Sequence, residues 1–334
     1  MKLGKPDYYD RFRCLAGNCP DSCCKEWEVE VDTDSAAFYR KLPGALGDDL
    51  RHVLRCEDGK TYITIADRRC PMWRQDGLCR IQAELGEYAL CKTCQEFPRL
   101  THDYGDFVEL GLELSCPEAA RLILSGAAAF VTEEVPGDGE AEYDAEAMEI
   151  LKTTRQQALA LLDDSDRPVG QALALLLLYG CQAQGALDGG EAAPFDPDAA
   201  LETAAELAQP GNAAEILPFF RSLEILTDRW ETCLRTPAPS DWDSRTPALA
   251  RYFVDRYWLQ AVSDYDLYSR VKFMVISCLL LRQLGGDFVE TAQLFSKEIE
   301  NDADNVDAIL DAAYEVRALA DDHLLAMLRM GKGD

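Results

Sequence analysis

Histidine and long apolar runs are scarce in this chain. Only three histidines occur among 334 residues, so a metal site built on imidazole is disfavoured and all-thiolate ligation is favoured. The longest apolar run, residues 172–181, is half of the roughly 20 residues that a membrane-spanning helix needs. Residues 1–14 carry charges but no apolar segment of the kind found in secretory signal peptides. We therefore expect a soluble, cytoplasmic protein without a membrane partner.

Motifs that mark common enzyme classes are missing as well. From about residue 143 onward there is no Gly-rich phosphate loop, no nucleophile elbow and no dinucleotide-binding fingerprint. No internal repeat of fixed period is evident either. The usual nucleotide-dependent and hydrolytic enzymes are therefore not indicated by this part of the sequence.

Positive charge is also in short supply. The chain has 33 lysines and arginines against 60 acidic residues, which gives a formal net charge of −27. Residues 1–100 contribute only −1 of this charge, so the acidity belongs to residues 101–334. Such a field repels phosphates, and we expect no nucleic-acid partner. A solvated acidic surface explains the charge most simply, and attraction of a basic protein substrate is the alternative.

Cysteine, in contrast, is abundant and concentrated near the amino terminus. Thirteen cysteines occur, and ten of them lie at or before Cys116. Because cytosolic thiols are kept reduced, this pattern favours metal binding or catalysis over a disulfide framework. The other three, Cys181, Cys233 and Cys278, stand singly in apolar helical contexts and are predicted to be core residues.

Nine cysteines show spacing typical of metal ligands. The spacing is C-x4-C-x3-C-C in the first group and C-x8-C-x11-C-x2-C in the second, with one more cysteine beyond. The predicted ligands are Cys14, Cys19, Cys23, Cys24, Cys70, Cys79, Cys91, Cys94 and Cys116. A Cys-x2-Cys pair suits zinc and iron–sulfur centres alike. Nine thiols exceed the four that one centre requires, so either two centres form or several thiols pack nearby.

The distribution of cysteines and the local residue patterns predict a mainly α fold in two parts. An irregular cysteine-rich metal-binding region with a few short strands is followed by an all-helical domain. We place the cysteine-rich domain at residues 1–132, a polar Pro/Gly-rich linker at 133–142 and the helical domain at 143–334.

Local patterns place several elements within the first part. The predicted elements are strands at 28–32 and 61–65, a helix at 34–42 that begins with a capping Asp, a helix at 79–94 broken near Gly86, a hairpin at 103–116 and a helix at 117–130.

Three blocks of the cysteine-rich part resemble the flagellin lysine N-methylase family, a branch of the zinc- or iron-chelating cysteine-cluster proteins. The blocks are residues 8–32, 70–99 and 113–124, and they cover about the first 125 residues. The resemblance implies methyl transfer from S-adenosylmethionine to lysine ε-nitrogens of flagellin. It also implies a [4Fe-4S] cluster bound by the cysteine motif. The chain departs from better-known patterns, because it has neither a C-x3-C-x2-C triplet nor a Rossmann-like methyltransferase glycine loop.

Given this resemblance, two side chains are candidates for cofactor binding. Arg99 is placed to offset the negative charge of a cluster or to bind a carboxylate of the cofactor, and an exposed loop arginine is the alternative. Trp27 is placed to shield the cluster or to stack on an adenine ring, and a core aromatic is the alternative. Glu109, Glu113 and Glu118 are candidate proton acceptors for the substrate amine, but a solvent-facing edge also explains them, and no catalytic residue is assigned.

Two other functions remain open at this stage. The first is a non-enzymatic zinc- or iron-binding structural or interaction protein, whose helical half would bind partners. The second is a redox sensor that forms reversible disulfides. The expected partner of a methylase is flagellin or another protein substrate, and the oligomeric state is open.

Overall fold

Two small β-sheets lie in the first 134 residues, and helices dominate the rest of the chain. The computed structural model describes residues 1–126, 128–137, 139–190, 193–209 and 213–329. The strands are β1 (Lys2–Pro6), β2 (Val29–Val31), β3 (Leu54–Glu57), β4 (Lys60–Ile63), β5 (Arg99–Asp103), β6 (Phe107–Leu112) and β7 (Phe130–Glu134). The first sheet has the order β5-β6-β1-β7, in which only β1 and β6 are parallel, and the second is the antiparallel sheet β2-β4-β3.

The predicted mainly α fold is confirmed. The helices before residue 130 are short: α1 (Thr33–Lys41), α2 (Gly44–Val53), α3 (Arg80–Leu85), α4 (Lys92–Glu96) and α5 (Pro117–Ile123). Those after it are α6 (Ala145–Leu162), α7 (Val169–Leu187), α8 (Pro197–Leu207), α9 (Leu217–Phe220), α10 (Asp228–Arg235), α11 (Thr246–Tyr257), α12 (Leu267–Leu284), α13 (Phe288–Phe295), α14 (Ala303–Glu315) and α15 (Asp321–Arg329). None of the described helices is long and apolar enough to cross a membrane.

Most of the local predictions for the first part are confirmed. The strands predicted around residues 28–32 and 61–65 correspond to β2 and β4, which pair with each other. The helix predicted at 79–94 breaks at Gly86, whose φ of 95° suits glycine better than other residues. The predicted hairpin is formed by β5 and β6, although it begins earlier, at Arg99.

Two of these predictions need correction. The first helix is capped by Asp32 rather than by the Asp at the start of the predicted range, because the Asp32 carboxylate accepts a hydrogen bond from the Ser35 N–H. The helix predicted at 117–130 ends at Ile123, and Phe130 belongs to β7. Residues Phe130–Glu134 are extended instead, and their backbone pairs with the edge of β1.

Two hydrophobic cores hold the molecule together. The small core comprises buried residues between Val29 and Cys91. The large core combines α5 to α15 with Tyr8, Phe12 and two residues of β6, Phe107 and Leu112. The predicted domain boundaries stay a prediction, but the large core includes segments from both sides of the proposed linker. Residue 138 of that linker and residues 330–334 at the predicted end of the helical domain lie outside the described part.

Helix α12 is the centre of the large core, and every residue in it except Tyr268 is buried. A helix that is buried nearly all round is expected inside a bundle rather than at its surface. It contacts α7, α11, α13, α14 and α15. Near it, α5 of the cysteine-rich part packs on α13 and α11, which fixes the position of the last predicted ligand, Cys116, against the helical half.

Candidate metal centre

All thirteen cysteines lie in the described part of the chain as free thiols, so no disulfide joins any pair of them. Among the nine predicted ligands, Cys70, Cys91 and Cys116 are buried. The others are half-buried or exposed. The redox-sensor alternative therefore has no preformed disulfide to support it, and the thiols are available as ligands.

Short backbone pairings bring distant cysteines together. The N–H of Cys70 donates a 2.8 Å hydrogen bond to the carbonyl of Cys24. Next to this contact, Lys25 pairs with Arg69 in an isolated antiparallel bridge. Cys79 is placed by a similar bridge to Trp73. The contacts of Cys24 with Cys70 and of Lys25 with Arg69 join the first cysteine group of the sequence to the second.

Three of the thiols sit at the amino termini of helices. Cys79, Cys91 and Cys116 are the N-cap residues of α3, α4 and α5. Burial raises the pKa of Cys116 to about 11, and the N–H groups of Ala119 and Glu118 oppose this rise. Free N–H groups at a helix start stabilise negative charge, which suits a thiolate or an anionic cluster.

Five thiols form what we call the inner set: Cys24, Cys70, Cys79, Cys91 and Cys94. Burial raises the pKa of Cys70 to about 12, and negative charge on Cys24, Cys79 and Cys91 adds to the rise. The pKa of Cys79 is raised by burial and then by charge on Cys24 and Cys91. Cys94 donates a hydrogen bond to Cys91, which raises the pKa of Cys94 and lowers that of Cys91.

The remaining four ligands form the junction set: Cys14, Cys19, Cys23 and Cys116. Charge on Cys19 and Cys14 contributes to the raised pKa of Cys116, after burial. Cys23 donates a hydrogen bond to Cys24, which raises the pKa of Cys23, and charge on Cys14 and Cys116 adds to that rise. The same hydrogen bond lowers the pKa of Cys24 to about 7. Thiolates are the form that binds metals.

The other four cysteines lie apart from these sets. Cys278 is buried in α12 as predicted, and Cys233 is half-buried against the large core. Cys181 was predicted to be a core residue, and this is wrong, because it lies on the exposed face of α7. Cys56, in β3, is exposed and contacts Arg40.

The donor chemistry of the nine thiols fits an iron–sulfur cluster. Among the described residues, no group of three or more His, Cys, Asp or Glu side chains is arranged to hold a metal ion. A [4Fe-4S] cluster makes a different demand, because each cysteine binds a separate iron and the thiolates need not converge on one point. Soft thiolates without imidazole are the ligand type that such clusters take.

Two side chains of the helical half hold the first cysteine segment in place. Gln293 of α13 donates hydrogen bonds to Asp21 (3.1 Å) and to the carbonyl of Ser115 (2.7 Å). Lys297 is 2% exposed, and its Nζ lies 3.0 Å from Asp21 and 2.5 Å from Glu26. These contacts link the segment between Cys19 and Cys24 to the residue before Cys116. Neither side chain was predicted from the sequence, because Gln and Lys near acidic residues such as Glu298 and Glu300 are typical of a solvent-exposed stretch.

The two candidates for cofactor binding lie near the cysteine segment. Trp27 is half-buried, 5.9 Å from Phe97 between ring centres, and the Lys297 ammonium lies 5.3 Å from its ring. Arg99 is exposed at the start of β5, and its guanidinium lies 5.2 Å from the ring of Phe12. Phe12 precedes Cys14 by two residues, so both candidates border the same segment.

Two of the three candidate carboxylates are already neutralised. Glu109 is buried and accepts two hydrogen bonds from Arg155, at 2.7 and 2.6 Å. Glu118 accepts two from Arg121, at 2.8 and 2.7 Å, which hold the pKa of Glu118 below its usual value. Carboxylates paired in this way are poor proton acceptors.

Glu113, unlike Glu109 and Glu118, accepts a hydrogen bond from a hydroxyl group rather than from an arginine. Its carboxylate accepts a 3.3 Å hydrogen bond from Ser115, and burial raises its pKa. Arg256 lowers this pKa and Glu300 raises it. Glu300 in turn accepts a 2.8 Å hydrogen bond from Tyr257. Glu113 therefore borders a buried polar network in the helical half, close to Cys116 in the chain.

Comparison with known proteins gives three similar proteins. The Lysine-N-methylase of Salmonella typhimurium strain LT2 is 32% identical over 141 residues, which cover 40% of this chain and 35% of that protein. The Lysine-N-methylase of Salmonella choleraesuis is 31% identical over the same length and shares. The flagellar biosynthetic protein FliU of Salmonella muenchen is 32% identical over 132 residues, which cover 37% of this chain and 78% of FliU.

The extent of these matches differs between the relatives. The aligned part is about a third of the length of the two methylases but more than three quarters of FliU. No protein-family profile and no solved structure matches the chain.

Proposed function

Because the chain belongs to the flagellin lysine N-methylase family, we propose that it methylates lysine side chains of a protein substrate. The proposed substrate is flagellin or a similar protein, the methyl donor is S-adenosylmethionine and the cofactor is a cysteine-bound [4Fe-4S] cluster, with zinc as the alternative metal. The observation that carries the proposal is the backbone pairing that joins Cys24 to Cys70 and Lys25 to Arg69, which brings the first cysteine segment against the second. We propose the cytoplasm as the location, because free thiols persist there.

The thiols and their surroundings would hold the cluster. Four of the nine would provide thiolate ligands, and the N–H groups at the starts of α3, α4 and α5 would offset the negative charge. When bound, S-adenosylmethionine supplies the methyl group and the cluster supplies electrons or a Lewis-acidic iron. The Lys297 ammonium, held by Asp21 and Glu26, fixes the segment that carries three of these thiols.

Arg99 and Trp27 would orient the methyl donor. No carboxylate of the described residues forms an ion pair or hydrogen bond with Arg99, whose guanidinium is exposed beside Phe12. It is therefore free to bind the carboxylate of S-adenosylmethionine. Trp27 offers a partly exposed ring on which an adenine can stack.

Glu113 is the proposed proton acceptor. A lysine amine must lose a proton before its nitrogen can accept a methyl group, and that proton would move to a carboxylate oxygen of Glu113. Burial raises the pKa of Glu113, so its carboxylate binds a proton more tightly than an exposed glutamate does. Glu109 and Glu118 are less suited, since arginines neutralise both.

A second candidate is a non-enzymatic metal-binding structural or interaction protein. One observation favours it: the similarity to the Salmonella typhimurium methylase covers only 40% of this chain and 35% of that enzyme, so most of the enzyme has no counterpart in the match. In that case the thiols would bind metal, and the helical half would bind partners without catalysis.

The test is a methylation assay on the intact protein. The protein is purified without oxygen and incubated with reductant, S-adenosylmethionine and a flagellin from the same organism. Mass spectrometry should show increments of about 14 Da per methyl group on flagellin lysines, and these should vanish without S-adenosylmethionine. A metal-replete protein that adds no such increments would favour the non-enzymatic alternative.

A further inference from the structure

A small pocket lies between the first sheet and helix α11. His102 of β5 and Glu109 of β6 form a cross-strand pair, so both side chains are on the sheet face that lines it. Tyr8, and Asp255 from α11, also line it. Its volume is about 30 Å³, and about 10–15 Å³ is sufficient for one water molecule. The pocket therefore accepts a small head group rather than a nucleoside.

The carboxylate of Asp255 is the unpaired charge of this pocket. The arginines around it are each paired with another carboxylate. The pairs are Arg155 with Glu109, Arg251 with Asp163 and Arg256 with Glu300. Among the described residues, no arginine or lysine forms an ion pair with Asp255. Burial raises the pKa of Asp255 to about 6, so at neutral pH the carboxylate is mostly ionised and its negative charge is not balanced.

Two further polar groups of the pocket have no hydrogen-bond partner within the described part of the chain. Tyr8 is 6% exposed, and its hydroxyl forms no hydrogen bond. The Nε2 atom of His102 is buried without a partner. Burial lowers the pKa of His102, so its imidazole is neutral at neutral pH, and Nε2 accepts a hydrogen bond in the tautomer that carries the proton on Nδ1. Because buried polar groups are nearly always hydrogen-bonded in folded proteins, these two groups and Asp255 around one pocket indicate a binding site.

A primary ammonium ion matches these three groups in charge and in hydrogen bonding. It carries one positive charge, which balances Asp255, and three N–H donors for the oxygen atoms of Asp255 and Tyr8 and the Nε2 atom of His102. An anion would be repelled by Asp255. No group of three or more His, Cys, Asp or Glu side chains in the described ranges is arranged to hold a metal ion. The apolar side chains of Leu100 and Phe130, which also line the pocket, suit the alkyl chain that carries the ammonium.

We propose that this pocket, which we call the ammonium pocket, binds the primary ammonium group of an alkyl chain. The group is the end of a lysine side chain of another protein, or it belongs to a small free amine. Only the lysine source rests on the proposed function. A lysine bound here would lie near the proposed proton acceptor, because Arg256 of the pocket interacts electrostatically with Glu113.

The first test measures the binding of two amines to the intact protein, purified without oxygen, by isothermal titration calorimetry at neutral pH. The probes are lysine blocked at its α-amino and carboxyl groups, and n-butylamine as the free amine. Norleucine blocked in the same way has the same four-carbon side chain without the amino group and is the control. At least one amine should bind at least about tenfold more tightly than blocked norleucine, and the amine that binds identifies the source. If neither amine binds, or if blocked norleucine binds as tightly, the proposal is wrong.

The second test changes the pocket. Asp255→Asn should weaken binding of the amine at least about tenfold, because it removes the charge that balances the ammonium. Tyr8→Phe removes one neutral hydrogen bond and should weaken binding about threefold or more. Asp307→Asn removes an exposed carboxylate of α14 outside the pocket and should bind as the wild type does. Unchanged affinity in Asp255→Asn overturns the proposal, and if that variant fails to fold, Tyr8→Phe decides.

These outcomes separate the inference from the proposed function. Amine binding that depends on Asp255, without methyl transfer to flagellin, would support the inference and contradict the methylase. Methyl transfer by a protein that binds neither amine would do the reverse.

Discussion

The two halves of this protein are stabilised in different ways. The large core contains six fully buried aromatic side chains, among them Trp230, Trp258 and Phe253. The small core has one, Tyr39, and two of its buried members are cysteines. Apolar burial stabilises a fold by about 25 cal/mol per Å², so the large core has the greater share of this stabilisation. The small core has less apolar burial, and under the proposed function its thiols would bind the inorganic centre.

Two buried lysines differ in which half of the molecule they bind. Lys272 is 4% exposed, and within the helical half it binds the Ala313 carbonyl and Asp321. Lys297 is 2% exposed but binds Asp21 and Glu26 of the cysteine-rich half. The first ammonium stabilises the bundle alone, whereas the second joins the bundle to the ligand segment.

The largest effect is expected from the ligand thiols. Cys19→Ser and Cys94→Ser should each lower methyl transfer at least about 100-fold and reduce metal content, because each removes a predicted ligand. Limited proteolysis should show that residues 1–116 lose protection more than the helical half. The matched control is Cys233→Ser in α10, which should keep metal and activity. Unchanged metal content in both ligand variants would contradict the ligand assignment.

The second prediction uses the two lysines. Lys297→Met and Lys272→Met should each destabilise the protein by about 1–3 kcal/mol, because each removes a buried ammonium from partly exposed carboxylate partners. Only Lys297→Met should also lower the metal content, since it releases the segment that carries Cys19, Cys23 and Cys24. Denaturant unfolding and metal analysis measure the two effects. Equal metal loss in both variants would show that stability alone governs metal retention.

Arg99→Ala should affect binding of the methyl donor without affecting the fold. We expect the KM for S-adenosylmethionine to rise roughly tenfold, the loss of one charge-assisted contact of about 1.4 kcal/mol. Stability should change by less than about 0.5 kcal/mol, because the side chain is exposed. Initial rates at varied donor concentration give the KM. An unchanged KM would identify Arg99 as a surface residue that packs on Phe12.

The smallest effect concerns the helical half alone. Burial raises the pKa of Asp255 in α11 to about 6, above its value of about 3.9 in an unfolded chain. The stabilisation from its proton is complete below pH about 4 and is lost as the pH rises through about 6. Asp255→Asn should therefore raise the Tm at pH 8 by about 2 °C more than at pH 5. Equal shifts at both pH values would contradict this assignment, and metal content should not change.

Local signals predicted much of the cysteine-rich half. Spacing selected nine cysteines as predicted ligands, which stays a prediction, and Gly86 marked the break after α3. The hairpin that precedes Cys116 followed from alternating residues and a Tyr-Gly turn. Each of these depends on residues close in the sequence, whose local preferences agree with the fold.

Local sequence signals did not predict the long-range contacts. The segment Lys2–Pro6 has little strand propensity, yet it pairs with Phe107–Leu112 and Phe130–Glu134 at the centre of a sheet. The buried charges of Lys297 and Glu300 are stable only because Asp21, Glu26 and the tyrosines of α11 surround them. Partners this distant in sequence give no periodic pattern, so local sequence signals do not reveal them.

The most direct test of the account is X-ray absorption spectroscopy at the iron and zinc edges of protein purified without oxygen. The central claim is that thiolates of the first 116 residues surround an inorganic centre. It predicts a first shell of sulfur atoms at about 2.3 Å from the metal. A shell of nitrogen or oxygen atoms, or a protein that binds no metal while all its thiols react, would contradict it.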